Sequence, residues 1–223
     1  MSIFDTFLNY RVFIDTLPLI LSGLATTLTL GATCIALGFV GGLALAMARL
    51  YGPRPLRVLA IAYIDVFRSI PVLVLLFVVY YALPFAGVRL NAFAAAASAI
   101  SMVSAAYSAE IVRAGIEAIP KGQFEAARAL GLRFPVIMRK VILPQALRIV
   151  VPPLTSNAIN VVKDTALASV VAMPDLLKQA NQAQALAANP TPLIVAAGIY
   201  LIILLPLVRL VGLLEQRMGR ARM

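Results

Sequence analysis

Asn157, Asn160 and Asp164 stand at i, i+3 and i+7 of one largely apolar segment, and so on one face of a helix. Ser156 and Lys163 flank them. Polar and charged groups are costly in hydrocarbon unless they hold a partner or line a wet passage. The chemistry on offer is non-covalent: hydrogen bonding and charge pairing with a polar solute crossing a bilayer. The bland alternative is a structural hydrogen-bond cluster, with Asp164 paired to Lys163 or Arg68. Arg68 itself has two uses. Its planar fork suits a carboxylate, and its long stem would equally let it snorkel to the membrane interface. Glu110 and Arg113, three apart on a helix, can pair with each other in a structural or gating role.

Covalent catalysis finds little support. The chain has no histidine, which removes His-based triads, histidine zinc sites and haem ligation together. No G-x-x-x-x-G-K-[ST] run is present, so the usual phosphate-binding loop for ATP is missing. The nine acidic residues are spread along the chain. Cys34, the one cysteine, sits in an apolar run and reads as a packing residue. These features disfavour a membrane-embedded enzyme and imply no metal or cofactor in this chain.

The elements that must position these residues are membrane helices. The sequence is 62% hydrophobic and 13% charged, with mean hydropathy +0.96, against about a quarter charged in a water-soluble domain. An all-α, polytopic membrane protein follows. Runs long enough to span, roughly 20 residues, occur about five times: near 17–47, 56–83, 92–112, 149–171 and 193–214. The second carries Asp65 and Arg68, which predicts an interfacial helix up to Ser69 and a spanning helix from near Pro71, a residue suited to a first turn. In the first, Gly38 and Gly42 have the small-xxx-small spacing that lets helices approach closely. Asp5, Arg11 and Asp15 before that run argue against a cleaved signal.

Loop charges set the orientation. Arg49, Arg54, Arg57, Arg113, Lys121, Arg128, Arg133, Arg139, Lys140, Arg148, Arg217, Arg220 and Arg222 fall on one side, and only Arg11, Arg89 and Lys178 on the other. The rule puts the first set in the cytoplasm, the N-terminus outside and the C-terminus inside. The net charge of +10 is thereby dispersed between apolar runs, and no nucleic-acid partner is expected.

The long cytoplasmic connection, about 114–147, has its own pattern. Pro120 to Leu130 predicts a short helix opened by proline, with Gly131 just past its end. Phe124, Ala127 and Leu130 fall three apart and give a narrow apolar face. The small Ala126 and Ala127 leave the backbone open to close approach by another protein. Pro135 predicts a second helix, with Leu143-Pro144 bending the chain back towards the membrane.

Glu125-Ala126-Ala127, then Gly131, then Val141-Ile142-Leu143-Pro144 resembles the cytoplasmic loop of ABC importer permeases, where Glu-Ala-Ala is followed by glycine and by Ile-x-Leu-Pro. Val141 takes the isoleucine position. Phe67-Arg68-Ser69-Ile70-Pro71 and Tyr80-Tyr81-Ala82-Leu83-Pro84 look like the Phe-Arg-Gly-Thr-Pro and Tyr-Tyr-Gly-Leu-Pro elements of the polar amino acid (histidine/glutamine-type) branch. Tyr107 to Ile116 is similar to that branch's third helix, and Lys163-Asp164-Thr165-Ala166-Leu167 resembles its Lys-Asp-Thr-Ser-Leu. Ser69-Ile70 and Ala166 are mild departures. Asn157 stands where many of that branch carry a glutamate.

The resemblance implies a type I ABC importer permease, a single transmembrane permease domain over 1–223, in the bacterial cytoplasmic (inner) membrane. It assigns ATPase coupling to Phe124, Glu125, Ala126, Ala127, Gly131, Leu143 and Pro144. Arg68, Asn157, Asn160, Lys163 and Asp164 are the candidates for the substrate path. The implied partners are ATP-binding cassette subunits holding ATP and magnesium, a second identical or paralogous permease, an extracytoplasmic solute-binding protein and membrane lipid. The implied cargo is a polar L-amino acid. A secondary carrier or channel, or an ABC permease for another small solute, is the alternative.

Overall fold

The structure, a computed structural model, describes the backbone of residues 6–220 and the side chains of residues 6–213. Asp5 and Arg222 lie outside the described residues, as do the side chains of Arg217 and Arg220. The described residues are helical, with no strand among them. In chain order the helices are α1 (Tyr10–Tyr51), α2 (Arg54–Ser69), α3 (Val72–Phe77), α4 (Ala92–Glu117), α5 (Lys121–Ala129), α6 (Phe134–Ile137), α7 (Leu143–Asp164), α8 (Leu176–Ala187) and α9 (Thr191–Arg220). Among the described residues, three helices are long and apolar enough to cross a membrane: Tyr10–Tyr51, Ala92–Glu117 and Thr191–Leu213. Arg54–Ser69 with Val72–Ala86 adds a fourth if the broken pair is one span. Residues 149–171 are helical throughout, as α7 and the 3-10 stretch Thr165–Val171. Their polar face keeps them short of that measure of apolarity.

Proline placement explains the breaks and one surprise. Pro71 caps α3 immediately after α2 ends at Ser69, as its fixed φ and missing N–H favour. Leu143-Pro144, by contrast, does not end a helix. A π turn, Met138–Ile142, joins α6 to α7 without interruption. A mid-helix proline loses one backbone hydrogen bond and crowds the carbonyl four residues back, here Lys140. The wider π turn eases that conflict. The same device, Val78–Ala82, precedes Leu83-Pro84.

The chain folds as two compact units, and α1, α4, α7 and α9 each contribute to both. The first unit comprises the residues up to Ala36, Ile70–Ser101 and Ile159–Val208. Its core joins Ile20, Leu176, Ala180, Ala183 and Ala196. Cys34 is fully buried there, as a packing residue should be. The second unit comprises Leu37–Ser69, Met102–Ala158 and the residues from Arg209 on. One of its cores joins Ala46, Ile64, Ala109, Val112 and Val150. Gly38 and Gly42 take up a contact inside this unit: a Cβ on Gly42 would sit 2.4 Å from Ser108 Cβ, and one on Gly38 would sit 2.7 Å from Ser104 Cβ. The small-residue spacing thus serves the approach of α1 to α4.

Candidate functional site

The cytoplasmic connection builds a small surface of its own in the second unit. Pro120 caps α5, and Leu130 follows its last turn. Gly131 has φ +75°, the left-handed value that favours glycine. Its N–H donates to Arg128 O at 2.9 Å, and Leu132 N–H donates to Ala127 O at 3.2 Å. This pair of bonds is a Schellman stop, which satisfies the helix's last carbonyls. Ala127 is buried against Ile119, Ile137, Ile142 and Ala146, with Phe124 packed beside it. Phe124 also meets Phe134 edge-on at 6.0 Å, and the Arg128 guanidinium lies 5.9 Å from its ring centre.

This packing fixes which face α5 shows. Glu125 and Ala126 point outward, and so do Leu143 and Pro144 on the following helix. The predicted stripe of Phe124, Ala127 and Leu130 is corrected at one place. Leu130 follows the last turn of α5 and is 80% exposed, outside the core that Ala127 and Phe124 join. Phe134, which also meets Tyr51 edge-on at 5.7 Å, is still 48% exposed, so Leu130 and Phe134 both leave apolar surface open on this connection. Such a patch, apolar and edged by charge, fits a protein interface.

The candidate path residues fall into two groups. Asn157 is in the second unit, where its Nδ2 donates to Ser108 Oγ at 3.1 Å and reaches Ser104 Oγ at 3.4 Å. Both serines are buried. Asn157 therefore ties α7 to α4, the structural use of an intramembrane amide. Asn160, Lys163 and Asp164 belong to the first unit. Asn160 and Lys163 are exposed and Asp164 is half-buried. Asn160 and Lys163 thus keep their polar groups on the surface of this unit.

Arg68 stands in the second unit, over the Tyr107 ring at 5.4 Å and with Nη1 3.9 Å from Glu110 Oε2. Glu110 pairs with Arg113 as their spacing predicts, Arg113 Nε donating to Oε1 at 2.9 Å. Arg113 also bonds Glu117. The sequence reading missed Arg49, whose Nη1 donates to Glu110 Oε2 at 3.0 Å from the end of α1. One carboxylate thus gathers arginines from α1, α2 and α4. It missed the buried Ser104 and Ser108 under Asn157 as well. A serine has no marked preference that would signal such a role.

A family model described as the binding-protein-dependent transport system inner membrane component matches residues 38–220. The chain belongs to that family. Its sequence is 37% identical to the probable glutamine ABC transporter permease protein GlnM of Bacillus subtilis (strain 168), over 96% of this chain and all of that one. It is 38% identical to the arginine transport system permease protein ArtQ of the same organism, over 89% of this chain and 91% of the relative. Among solved structures, the crystal structure of an amino acid ABC transporter with histidines superposes with a TM-score of 0.88 at 36% identity, covering 97% of this chain and all of the other. The MetNI methionine ABC transporter in an inward-facing form gives 0.69 at 27% identity, over 94% of this chain and 98% of the other. The chain is accordingly a multi-pass membrane protein of the type I ABC importer permease fold. It is a transport subunit, not an enzyme, and ATP hydrolysis belongs to a separate chain.

Proposed function

We propose that this chain is the permease subunit of an ATP-driven importer of polar L-amino acids in the bacterial cytoplasmic membrane. The observation that carries the reading is α5, which shows Glu125 and Ala126 outward and ends in the Gly131 stop. A short, rigidly terminated helix can transmit a push from an ATP-binding cassette subunit to α4 and α7, between which it is joined. Membrane crossing by five segments, with the N-terminus outside, puts α5 on the cytoplasmic side, as the loop charges require. ATP and magnesium are then held by the partner, and an extracytoplasmic solute-binding protein delivers the cargo. An ATP-independent carrier would leave the α5 surface without a purpose. Depleting ATP while holding the proton gradient should stop uptake by proteoliposomes containing the assembled transporter; undiminished uptake would overturn the proposal.

One coupling helix per chain also bears on assembly. Two ATPase subunits need two such helices, so the active particle carries two permease chains, identical or paralogous. Native mass measurement of the detergent-extracted complex should give a permease to ATPase ratio of two to two. A single permease chain in an active particle would refute it.

The cargo follows from charge. Asn157 replaces a carboxylate that would favour a cationic side chain, and its amide is already engaged by Ser104 and Ser108. Asp164 is left as the acidic group of the polar α7 face, with Lys163 beside it for an α-carboxylate. Glutamine or glutamate should therefore enter reconstituted transporter faster than arginine. Robust arginine uptake with neither of the others entering would sink this specificity.

A further inference from the structure

Asp175 caps the N-terminus of α8, its Oδ1 accepting from Lys178 N–H at 2.9 Å. The residue is fully buried, and its other oxygen, Oδ2, has no hydrogen-bond partner. Two further polar atoms of the first unit share that condition: Gln179 Oε1, one helical turn further on, and the Tyr200 hydroxyl of α9. The backbone around the site is tightly held. Leu176 N–H donates to Thr27 Oγ1 of α1 at 2.9 Å, and a Cβ on Gly23 would fall 2.5 Å from Asp175 O. A buried carboxylate with one bare oxygen is costly, whereas a carboxylic acid turns that oxygen into a donor.

We propose that Asp175 is a proton-binding site that latches α8 to α1 and α9 when protonated and loosens that docking when it ionises. Burial pushes its carboxyl up to about 6, with the capping N–H bonds and Lys178 opposing. Among the described residues, Lys178 on its own helix is the charged group acting on it. Tyr200 is the titratable group facing it from α9, and α1 presents the neutral Gly23 and Thr27. A raised carboxyl binds its proton more tightly in the docked state. The latch is therefore complete below the ordinary carboxyl range, near pH 4, and is lost as pH rises through about 6.

Hydrogen exchange at the amides of residues 176–187, measured on the assembled transporter in detergent at pH 5 and pH 8 and corrected for intrinsic rates, tests the proposal. Local opening should become more frequent at pH 8 by about tenfold, because part of the difference in proton affinity is already spent between pH 4 and pH 5. Asp175→Asn keeps an acceptor for the Lys178 N–H and supplies a permanent donor, so its protection should be high and the same at both values. Should that variant fail to assemble, Asp175→Ser caps without titrating and should also show no pH dependence. Protection in the natural chain that ignores pH, or an equal pH response in the variants, overturns the latch. A response to sodium at fixed pH, with potassium as control, would show a metal cation in place of the proton and overturn it too.

Discussion

Glu125→Lys should leave the chain folded in the membrane but reduce ATP-dependent uptake tenfold or more and weaken retention of the ATPase subunit on purification. Glu125 is exposed and pairs with no described side chain, so little of the fold depends on it. Reversing a charge at a docking surface is different, because it sets like charge against whatever basic group the partner presents. A tenfold to hundredfold loss of affinity corresponds to about 1.4–3 kcal/mol. Glu125→Gln should fall between the two, since it keeps shape and loses charge. Gly131→Val attacks the same surface through the backbone. Nothing lies within 4 Å of a Cβ there, so the cost is conformational and not steric. A left-handed position costs a non-glycine residue about 1–2 kcal/mol, enough to loosen the stop and misplace Glu125. Wild-type uptake and wild-type ATPase retention in both Glu125→Lys and Gly131→Val would remove the coupling role from α5.

The parts of this surface that were legible in the sequence are those where a residue type dictates its own backbone. Pro120 and Gly131 delimit α5, and Pro71 opens α3, because proline fixes φ and glycine tolerates the left-handed region. Leu143-Pro144 misled for the converse reason. Proline's preference is a local cost, and a π turn can absorb it. Two further stops carry no sequence signal at all: Ala172 and Ala188 adopt left-handed φ values of 58° and 45° without being glycine. Tertiary partners were the other limit. Glu110–Arg113 could be read from a three-residue spacing, but Arg49 is 61 residues away from Glu110. Gly38 and Gly42 announced a close approach without naming Ser104 and Ser108 as what approaches.

Replacing Glu110 by Gln should cost stability more than any exposed change in the chain. Arg49 and Arg68 sit in the last turns of α1 and α2, where the helix dipole favours cations. Arg113 rises from the next turn of α4, and Glu110 meets all three with only 19% of its side chain exposed. Shielded from solvent to that degree, the group is screened less by salt than a surface pair. Glutamine keeps the volume but removes the carboxylate that Arg49 and Arg68 pair with, while Arg113 keeps Glu117. Hydrogen bonds to charged groups contribute about 1.5–3 kcal/mol, so the loss should be of that order and should persist at high salt. Arg49→Ala should cost less, because Arg113 still holds the carboxylate. Combining the two should cost less than their sum, with a coupling of about 0.5–3 kcal/mol, as expected for residues in one network. Detergent unfolding curves for the two single variants and the double variant measure this directly. Strict additivity, or a Glu110→Gln chain as stable as the natural one, would mean that the cluster is an incidental surface grouping. A coupling that survives high salt would make Glu110 the clasp joining α1, α2 and α4 within the unit that carries α5, so that a push on α5 moves those helix ends together.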